Sequence, residues 1–360
     1  MVRAHNFNAG PAALPDQALA QAKDELMNFR HTEMSVMELS HRSQDYEQVH
    51  HAAKDLLREL LNVPDTHDIL LLQGGASLQF PMIPMNFLTK GQPNYILTGS
   101  WSEKALKEAK LLAHPYTGGS TKDEQYRRIP HTSELNWSNT DDYIHITSNN
   151  TIYGTQWQDL ALDAPAPLIA DMSSDILSRP FPVENYQLIY AGAQKNLGPS
   201  GVTIVIAERS MYERTPEHTP TLLRYDTHAD KDSLYHTPPT FAIYMLYQVL
   251  SWVKENGGAE GMAKRNDEKA AVLYDTIDNS GGFYTGHAAA DSRSHMNVTF
   301  NLPSEELNQT FLAEAKDAGF IGLNGHRSVG GCRASIYNAV PLETCEALRS
   351  FMKDFQAKHG

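Results

Sequence analysis

Apolar residues recur at helical spacing in the first part of the chain. The apolar positions from Leu19 to Phe29 fall on one helix face, and those from Val49 to Leu60 do so again. Both stretches carry polar residues on the opposite face. The pattern therefore predicts two amphipathic helices ahead of the first strand.

Short apolar runs then alternate with helical segments. The runs are ILLL at 69–72, YIL at 95–97, YIHI at 143–146, LIAD at 168–171, LIYAG at 188–192 and VTIVIA at 202–207. Segments with helical spacing of apolar residues, at 78–88 and 102–112, follow the first two of these runs. This βαβ rhythm predicts an α/β fold with a largely parallel sheet covered on both faces.

A long helix predicted at 241–255 ends at Gly257-Gly258, where we place a domain boundary. The remaining pattern is a helix at 259–278, the strand MNVTFNL, a helix at 304–317, a short strand at 333–337 and a helix at 342–357. It predicts a second, smaller α/β domain.

Composition narrows the class of protein. The chain has 360 residues with 41% hydrophobic and 20% charged residues, which is typical of a globular protein large enough for two domains. A net charge of −13 without a local basic patch argues against nucleic acid as a partner. No run approaches the roughly 20 apolar residues of a membrane span. We therefore expect a cytoplasmic enzyme without a membrane partner.

Cysteine and histidine usage gives no sign of a disulfide framework or a metal site. Cys332 and Cys345 are the only cysteines, and the simplest interpretation is that both pack in the core. The sixteen histidines show no ligand spacing such as HExxH. We assign no metal.

The chemistry-bearing residues follow the predicted strands. Asp171 ends the run LIAD, and Lys195 follows LIYAG between glycines. An amine on a rigid element and a carboxylate facing a ring nitrogen are what a pyridoxal phosphate site requires. Such residues near strand ends are more often surface ion pairs, so the pair needs support from other positions.

Three further positions provide that support. The glycine turn at 73–77 joins a strand to a helix, a geometry that presents free N–H groups to an anion. Trp101 follows the run YIL, where its indole can stack on a planar ring, and Thr151 follows YIHI with a hydroxyl. Alone, each is more simply a turn, a core tryptophan or a loop threonine. Because the carboxyl ends of parallel strands share one edge of the sheet, all are expected to meet there.

An ordered set of motifs resembles the fold-type I pyridoxal phosphate enzymes of class V and, more closely, the phosphoserine aminotransferase family. The resemblance covers essentially the full length. Its motifs are FNAGPAALP at 7–15, SHRS at 40–43, QGGASLQF at 73–80, GSWSEKA at 99–105, NNTIYGTQ at 149–156, ADMSSD at 170–175, AGAQKNLGPSG at 191–201, TPPTFAIY at 237–244 and GHRSVGGCRASIYNAV at 325–340.

The resemblance implies a fold and a set of cofactor contacts. The fold is a large domain at 16–257 with a mainly parallel seven-stranded sheet, and a small α/β domain formed by 1–15 and 258–360. By this resemblance, Lys195 is the catalytic lysine that forms the Schiff base, and Asp171 is the partner of the ring nitrogen. Trp101 is the ring that stacks on the cofactor, and Thr151 donates to its phenolic oxygen. The implied phosphate ligands are the backbone of Ala76 and Ser77, the side chain of Gln194, and His236 and Thr237 from the second subunit.

Two positions depart from the family pattern. The family often has arginine where this chain has Ser77, and asparagine where it has His236. Backbone N–H groups at 76–77 are independent of side chain, so they remain available to a phosphate. A histidine at 236 can donate as an asparagine does, with a charge that depends on pH.

Substrate recognition is implied in the same way. Arg333 resembles the anchor for the α-carboxylate. The basic pocket for the substrate phosphate would be formed, by the same resemblance, by His41 and Arg42 with His326 and Arg327 from the partner subunit. Arginine suits both tasks because its planar fork binds such anions bidentately.

The implied function is a homodimer with shared active sites that converts L-glutamate and 3-phosphohydroxypyruvate to 2-oxoglutarate and O-phospho-L-serine, for serine biosynthesis. An extension to 4-phosphohydroxy-L-threonine in pyridoxine biosynthesis stays open. Two alternatives also stay open: another fold-type I enzyme, such as a lyase or a desulfurase, and a pyridoxal phosphate carrier without catalysis. A desulfurase needs a mobile cysteine, and Cys332 lies beside Arg333 at a predicted strand edge, which is a poor place for one.

Overall fold

The computed structural model describes residues 3–360 and contains α-helices around sheets of several sizes. The helices are α1 (Asp16–Glu25), α2 (Gln44–Leu61), α3 (Gly75–Phe87), α4 (Ser100–Ala109), α5 (Tyr225–Asp230), α6 (Thr240–Glu255), α7 (Gly258–Asp278), α8 (Glu305–Asp317) and α9 (Leu342–His359). Within these described residues, no helix is long and apolar enough to cross a membrane.

The strands, numbered along the chain, are β1 (His5–Asn6), β2 (His67–Leu72), β3 (Asn94–Leu97), β4 (Tyr116–Ser120), β5 (Ile144–Thr147), β6 (Asn149–Asn150), β7 (Thr155–Gln156), β8 (Leu168–Asp171), β9 (Leu188–Gly192), β10 (Thr203–Glu208), β11 (Thr285–Gly286), β12 (Asn297–Asn301), β13 (Phe320–Ile321) and β14 (Cys332–Ser335). All the strand-like runs of the sequence are strands here.

The main sheet has seven strands in the order β2-β10-β9-β8-β5-β3-β4. It is mostly parallel, as predicted, but β10 runs antiparallel to both of its neighbours. The short connection at 193–202 explains the reversal, because a parallel crossover needs about a dozen residues or more and usually a helix. Strands β8 and β9 are buried throughout, so their carboxyl ends are fixed by packing on both faces.

A second hydrophobic core lies apart from the one around the main sheet. It contains Phe7 and buried residues between Ala270 and Phe355, and it packs α7 and α9 against β12 and β14. The sheet β11-β12-β14 belongs to this region, and β1 pairs with β13 nearby. The N-terminal segment therefore contacts the C-terminal part of the chain.

Some elements differ from the sequence pattern. Helix α1 ends at Glu25, and Phe29 lies in a separate 3₁₀ turn followed by left-handed backbone at Arg30 and His31. Phe29 is fully buried and packs edge-on against Tyr244, with ring centroids 5.8 Å apart. Its apolar spacing therefore reflects burial rather than continuation of the helix.

Candidate active site

The carboxyl ends of β8, β9 and β5 meet at a cavity of about 270 Å³. The predicted residues that line it are Ala76, Ser77, Trp101, Thr151, Asp171, Gln194, Lys195, His326 and Arg333. His41, Arg42, His236, Thr237 and Arg327 do not line it. The chain thus brings residues at the strand ends of the main sheet together with Arg333 of β14 at one place.

Lys195 and Thr151 are in direct contact. The Lys195 Nζ atom donates a hydrogen bond to Thr151 Oγ1 at 3.0 Å. The same Nζ lies 5.8 Å from the centre of the Trp101 ring. The backbone of Gly10 packs along the lysine stem, since a Cβ built on this glycine would lie 3.5 Å from Lys195 Cγ. The Lys195 amine therefore lies beside the Thr151 hydroxyl and the Trp101 ring, on a side chain that packs against the Gly10 backbone.

Asp171 is almost completely buried at the end of β8. Its Oδ1 atom accepts hydrogen bonds from the backbone N–H of Ser173 at 2.9 Å and from the Ser173 hydroxyl at 2.6 Å. Burial raises the pKa of Asp171, while the bonds from Ser173, the charge of Lys195 and the Tyr190 hydroxyl oppose the rise. A cation facing this carboxylate would stabilise its ionised form.

The start of α3 presents an anion site. Its N-cap residue, Gly74, has left-handed backbone with φ of 91° and no side chain to cap the helix. The first N–H groups of the helix, which belong to the cavity residues Ala76 and Ser77, therefore point outward at the positive end of the helix dipole. A phosphate fits this position, as the glycine turn predicted.

A cationic cluster forms the other side of the cavity. The Arg333 Nη1 atom reaches the Thr151 carbonyl at 3.4 Å, and its buried Nε atom has no hydrogen-bond partner within the described residues. Burial lowers the pKa of Arg333. Burial and the charges of Arg333, Arg327 and Lys104 lower the pKa of His326. Such a cluster is suited to an anionic ligand.

His326 reaches this cavity within its own chain, which differs from the expectation that it comes from the partner subunit. The loop between β13 and β14 folds back on itself, with the Gly325 N–H bonded to the Gly331 carbonyl at 2.9 Å. It carries His326 toward Arg333 of the next strand. The exposed Arg327 lies on the same loop outside the cavity.

The other predicted residues lie outside the cavity of their own chain. Gln73 Nε2 donates to the Thr237 carbonyl at 2.9 Å and contacts His236 Nε2 at 3.3 Å, next to the glycine turn. His41 and Arg42 lie just before α2, whose N-cap is Ser43.

The residues present fit pyridoxal phosphate. A buried carboxylate that forms no ion pair within residues 3–360 suits the ring nitrogen. Free helix N–H groups suit the phosphate, and the amine with its hydroxyl neighbour suits the carbonyl side of the ring. Trp101 supplies a flat face, and its buried Nε1 has no partner within residues 3–360. Ser173, which bonds the Asp171 carboxylate, is a contact that the sequence analysis missed.

Comparisons with known proteins agree with this site. The family model described as aminotransferase class-V matches residues 4–348. A relative from Halalkalibacterium halodurans named phosphoserine aminotransferase is 63% identical over 360 residues and covers 100% of both chains. The solved phosphoserine aminotransferase of Bacillus circulans subsp. alkalophilus is 53% identical, with a TM-score of 0.98 over 99% of each chain.

A more distant solved structure names the cofactor. The pyridoxal-phosphate-bound phosphoserine aminotransferase of Trichomonas vaginalis is 38% identical to this chain. It has a TM-score of 0.92 and covers 98% of this chain and 100% of its own.

Proposed function

We propose, because the chain belongs to the class-V aminotransferases and within them to the phosphoserine aminotransferases, that it exchanges an amino group between L-glutamate and 3-phosphohydroxypyruvate. The products are 2-oxoglutarate and O-phospho-L-serine, the reaction is reversible, and it serves serine biosynthesis. Pyridoxal phosphate is the cofactor. The observation that carries the proposal is one cavity with the Lys195 amine on one wall and the Arg333 guanidinium on another.

The residues divide the chemistry between them. Pyridoxal phosphate, when bound, supplies an electron sink for the negative charge that develops at the substrate Cα. Lys195 would hold the cofactor covalently and, once its amine is freed, would move the proton between the substrate Cα and C4′ of the cofactor. Asp171 would stabilise a proton on the ring nitrogen, and Thr151 would donate a hydrogen bond to the phenolic oxygen. Trp101 fixes the plane of the ring.

The backbone N–H groups of Ala76 and Ser77 and the Gln194 side chain would hold the phosphate of the cofactor. His236 and Thr237 of the partner subunit would complete this site. Thr237 is exposed, and within its own chain its carbonyl accepts from Gln73 Nε2 at 2.9 Å, beside the glycine turn.

Charge supports the placement of the substrate. Arg333 binds the α-carboxylate, because its guanidinium is mostly buried and lacks a carboxylate partner among the described ion pairs. His326 contributes to the pocket for the distal phosphate from its own chain, and Arg327 lies on the same loop. His41 and Arg42 approach that pocket from the partner subunit. Glutamate places its side-chain carboxylate in the same basic pocket.

The enzyme is a homodimer with shared sites. Met27 and Met37, which are 81% and 53% exposed, lie in the segment that leads to Arg42. Exposed apolar side chains of this size are typical of an interaction surface. The large domain comprises 16–257, and the small domain comprises 1–15 and 258–360, of which residues 1 and 2 lie outside the described structure. A cytoplasmic location is supported by the buried, unpaired state of both cysteines.

A desulfurase is disfavoured by Cys332. Its thiol is buried at 1% exposure in β14, and burial raises its pKa. A thiol in this environment stays protonated and cannot act as a mobile nucleophile.

The experiment supplies the purified protein with pyridoxal phosphate, L-glutamate and 3-phosphohydroxypyruvate and measures 2-oxoglutarate. We expect stoichiometric formation of 2-oxoglutarate and O-phospho-L-serine, and no turnover by Lys195→Ala with an unchanged circular dichroism spectrum. A protein that binds the cofactor but forms no 2-oxoglutarate would be a carrier, and normal turnover by Lys195→Ala would remove the lysine from the mechanism.

A further inference from the structure

The side chain of Asn149 lies at a fully buried junction. It is 2% exposed, and its Nδ2 atom donates to Ser174 Oγ and to Asn297 Oδ1, both at 2.8 Å. Its Oδ1 atom accepts from the Ser294 hydroxyl at 2.5 Å. An amide buried without partners would cost free energy, so these bonds fix where the side chain lies.

Asn297 continues the junction on the side of the second core. It is 0% exposed at the start of β12, and its Nδ2 atom donates to Ser335 Oγ at 2.9 Å and to Tyr337 Oη at 3.2 Å. The Tyr337 hydroxyl donates in turn to the Ala9 carbonyl at 2.8 Å. The junction therefore extends to the residue before Gly10, which packs along Lys195.

The two amides join two segments that line the active site. Asn149 lies two residues before Thr151, and Ser174, whose hydroxyl donates to the Asn149 carbonyl at 2.9 Å, lies three residues after Asp171. We call this segment, together with Asp171, the cofactor wall. Beside it, Arg333 Nη1 reaches the Thr151 carbonyl at 3.4 Å, and Ser335 lies two residues after Arg333 in β14. The amide pair thus links the cofactor wall to the arginine strand by side-chain bonds that exclude water.

We infer that Asn149 and Asn297 are positioning residues that set the distance between the Arg333 guanidinium and the cofactor wall, and thereby align the substrate Cα with the cofactor. The inference rests on the proposed function, in which Arg333 binds the α-carboxylate. Asn149 lines the cavity and Asn297 does not, but the side-chain amide of each is bonded to other residues of the junction, so both act through the residues they hold. A displacement of about 1 Å at a reacting centre is enough to lower a rate by roughly 100-fold.

The test compares two unreactive ligands that differ only in a carboxylate. 3-Phosphooxypropionate carries a phosphate and a carboxylate, and propyl phosphate carries the phosphate alone. Neither has an amine, so calorimetric titration of the cofactor-loaded protein reports binding without turnover. The ratio of their dissociation constants measures the contribution of the carboxylate site.

The variants are Asn149→Ser, Asn297→Ser and the double variant, with Asn308→Ser as the matched control. Asn308 is also buried in the second core, where it accepts from the Leu302 N–H at 2.9 Å, but it does not line the active-site cavity. Ser335→Ala removes a single bond of the network and serves if a serine variant fails to fold.

We expect each single variant to lower the preference for the carboxylate ligand by about tenfold, with propyl phosphate binding within twofold of the unsubstituted protein. Because the two amides share a bond, the double variant should lose about as much as one single variant. Asn308→Ser should keep the full preference, and Ser335→Ala should show a smaller loss.

The inference would be overturned if the amide variants bound both ligands equally more weakly. It would also be overturned if Ser335→Ala and the amide variants all kept the preference for the carboxylate ligand. The proposed function is tested separately, because the unsubstituted protein must form O-phospho-L-serine whatever the variants do. Formation of that product together with an unchanged carboxylate preference would refute the positioning role alone.

Discussion

At the scale of single residues, burial shifts the pKa of ionisable side chains. Burial raises the pKa of Asp171, whereas Ser173 and Lys195 lower it. A cation that faces the carboxylate would therefore stabilise its ionised form. Asp171 and Lys195 were predictable from the sequence, because each follows a buried apolar run. Ser173 was not predicted, since a serine carries no distinctive pattern until the turn after β8 brings its hydroxyl back to the carboxylate.

Lys269 shows the same effect away from the site. It is buried in α7, and its Nζ atom donates to the carbonyls of Ile336 and Tyr337 at 2.9 and 2.7 Å. Burial lowers the pKa of Lys269 to about 7, with Cys345 opposing and Arg265 adding to the change. No sequence pattern separated this lysine from its exposed neighbour Lys264.

We predict that this burial makes stability depend on pH. Between about pH 7 and pH 10 the unfolded chain holds the Lys269 proton and the folded chain does not, so the free energy of unfolding rises with pH, by at most about 1.4 kcal/mol per unit. Lys269→Met removes this dependence. Denaturant titrations from pH 7.5 to 9.5 should therefore show the unsubstituted protein gaining stability relative to Lys269→Met.

The control for this prediction is Lys264→Met on the exposed face of α7. It should follow the unsubstituted protein at each pH. A constant difference between the unsubstituted protein and Lys269→Met across the range would show that Lys269 titrates at its ordinary pKa.

At the scale of elements, the sequence pattern located strands better than their directions and edges. The run VTIVIA predicted β10, but only the short connection after β9 explains why it runs antiparallel. The edge strand β4, YTGGS, has no apolar run at all. Its glycines leave room for neighbours, since the Gly118 carbonyl accepts from the Asn136 N–H at 2.6 Å. Such a strand is set by tertiary contacts rather than by its own residues.

The turn between β2 and α3 gives a prediction at this scale. Gly74 and Gly75 both have positive φ, at 91° and 68°. A Cβ on Gly74 would lie 2.8 Å from Leu78 Cβ, whereas a Cβ on Gly75 would meet no atom within 4 Å. Gly75→Ala should cost about 1–2 kcal/mol of stability from backbone strain alone. Gly74→Ala should cost more and should also displace the start of α3.

Thermal unfolding and a cofactor titration of both variants test the turn. We expect Gly74→Ala to weaken binding of pyridoxal phosphate more than Gly75→Ala does, because the phosphate site lies at the displaced helix start. If Gly75→Ala lowers stability and cofactor affinity as much as Gly74→Ala, contact with Leu78 does not shape the turn.

At the scale of the whole molecule, the mostly parallel seven-stranded sheet followed from the βαβ pattern. The proposed distribution of the site over two subunits does not follow from this pattern, because residues such as His41 and His326 are distant in sequence and carry no signal of which chain they serve. The resemblance supplied that expectation. The single chain places His326 in its own cavity and leaves Arg42 outside it.

We predict that the dimer is required for turnover. Met37→Glu introduces a charge on the exposed apolar segment beside Arg42 and should shift the protein from the mass of two chains to that of one in sedimentation. Turnover should fall at the same time, because the partner's contribution to each site is lost.

Leu111→Glu is the matched control for the dimer prediction. Leu111 is also exposed, at 73%, but it lies beyond the end of α4, away from the methionine segment. It should leave both mass and turnover unchanged. A fully active single chain would contradict shared active sites.

The most direct test of the account is the visible spectrum of the cofactor-loaded protein during titration with O-phospho-L-serine and, separately, with L-serine. We predict that phosphoserine removes the yellow colour of the bound cofactor and that serine at the same concentrations does not. In Arg42→Ala, the response to phosphoserine should weaken toward that to serine. A protein that stays colourless with added cofactor would contradict the role of Lys195, and equal loss of colour with both amino acids would contradict a phosphate-selective site.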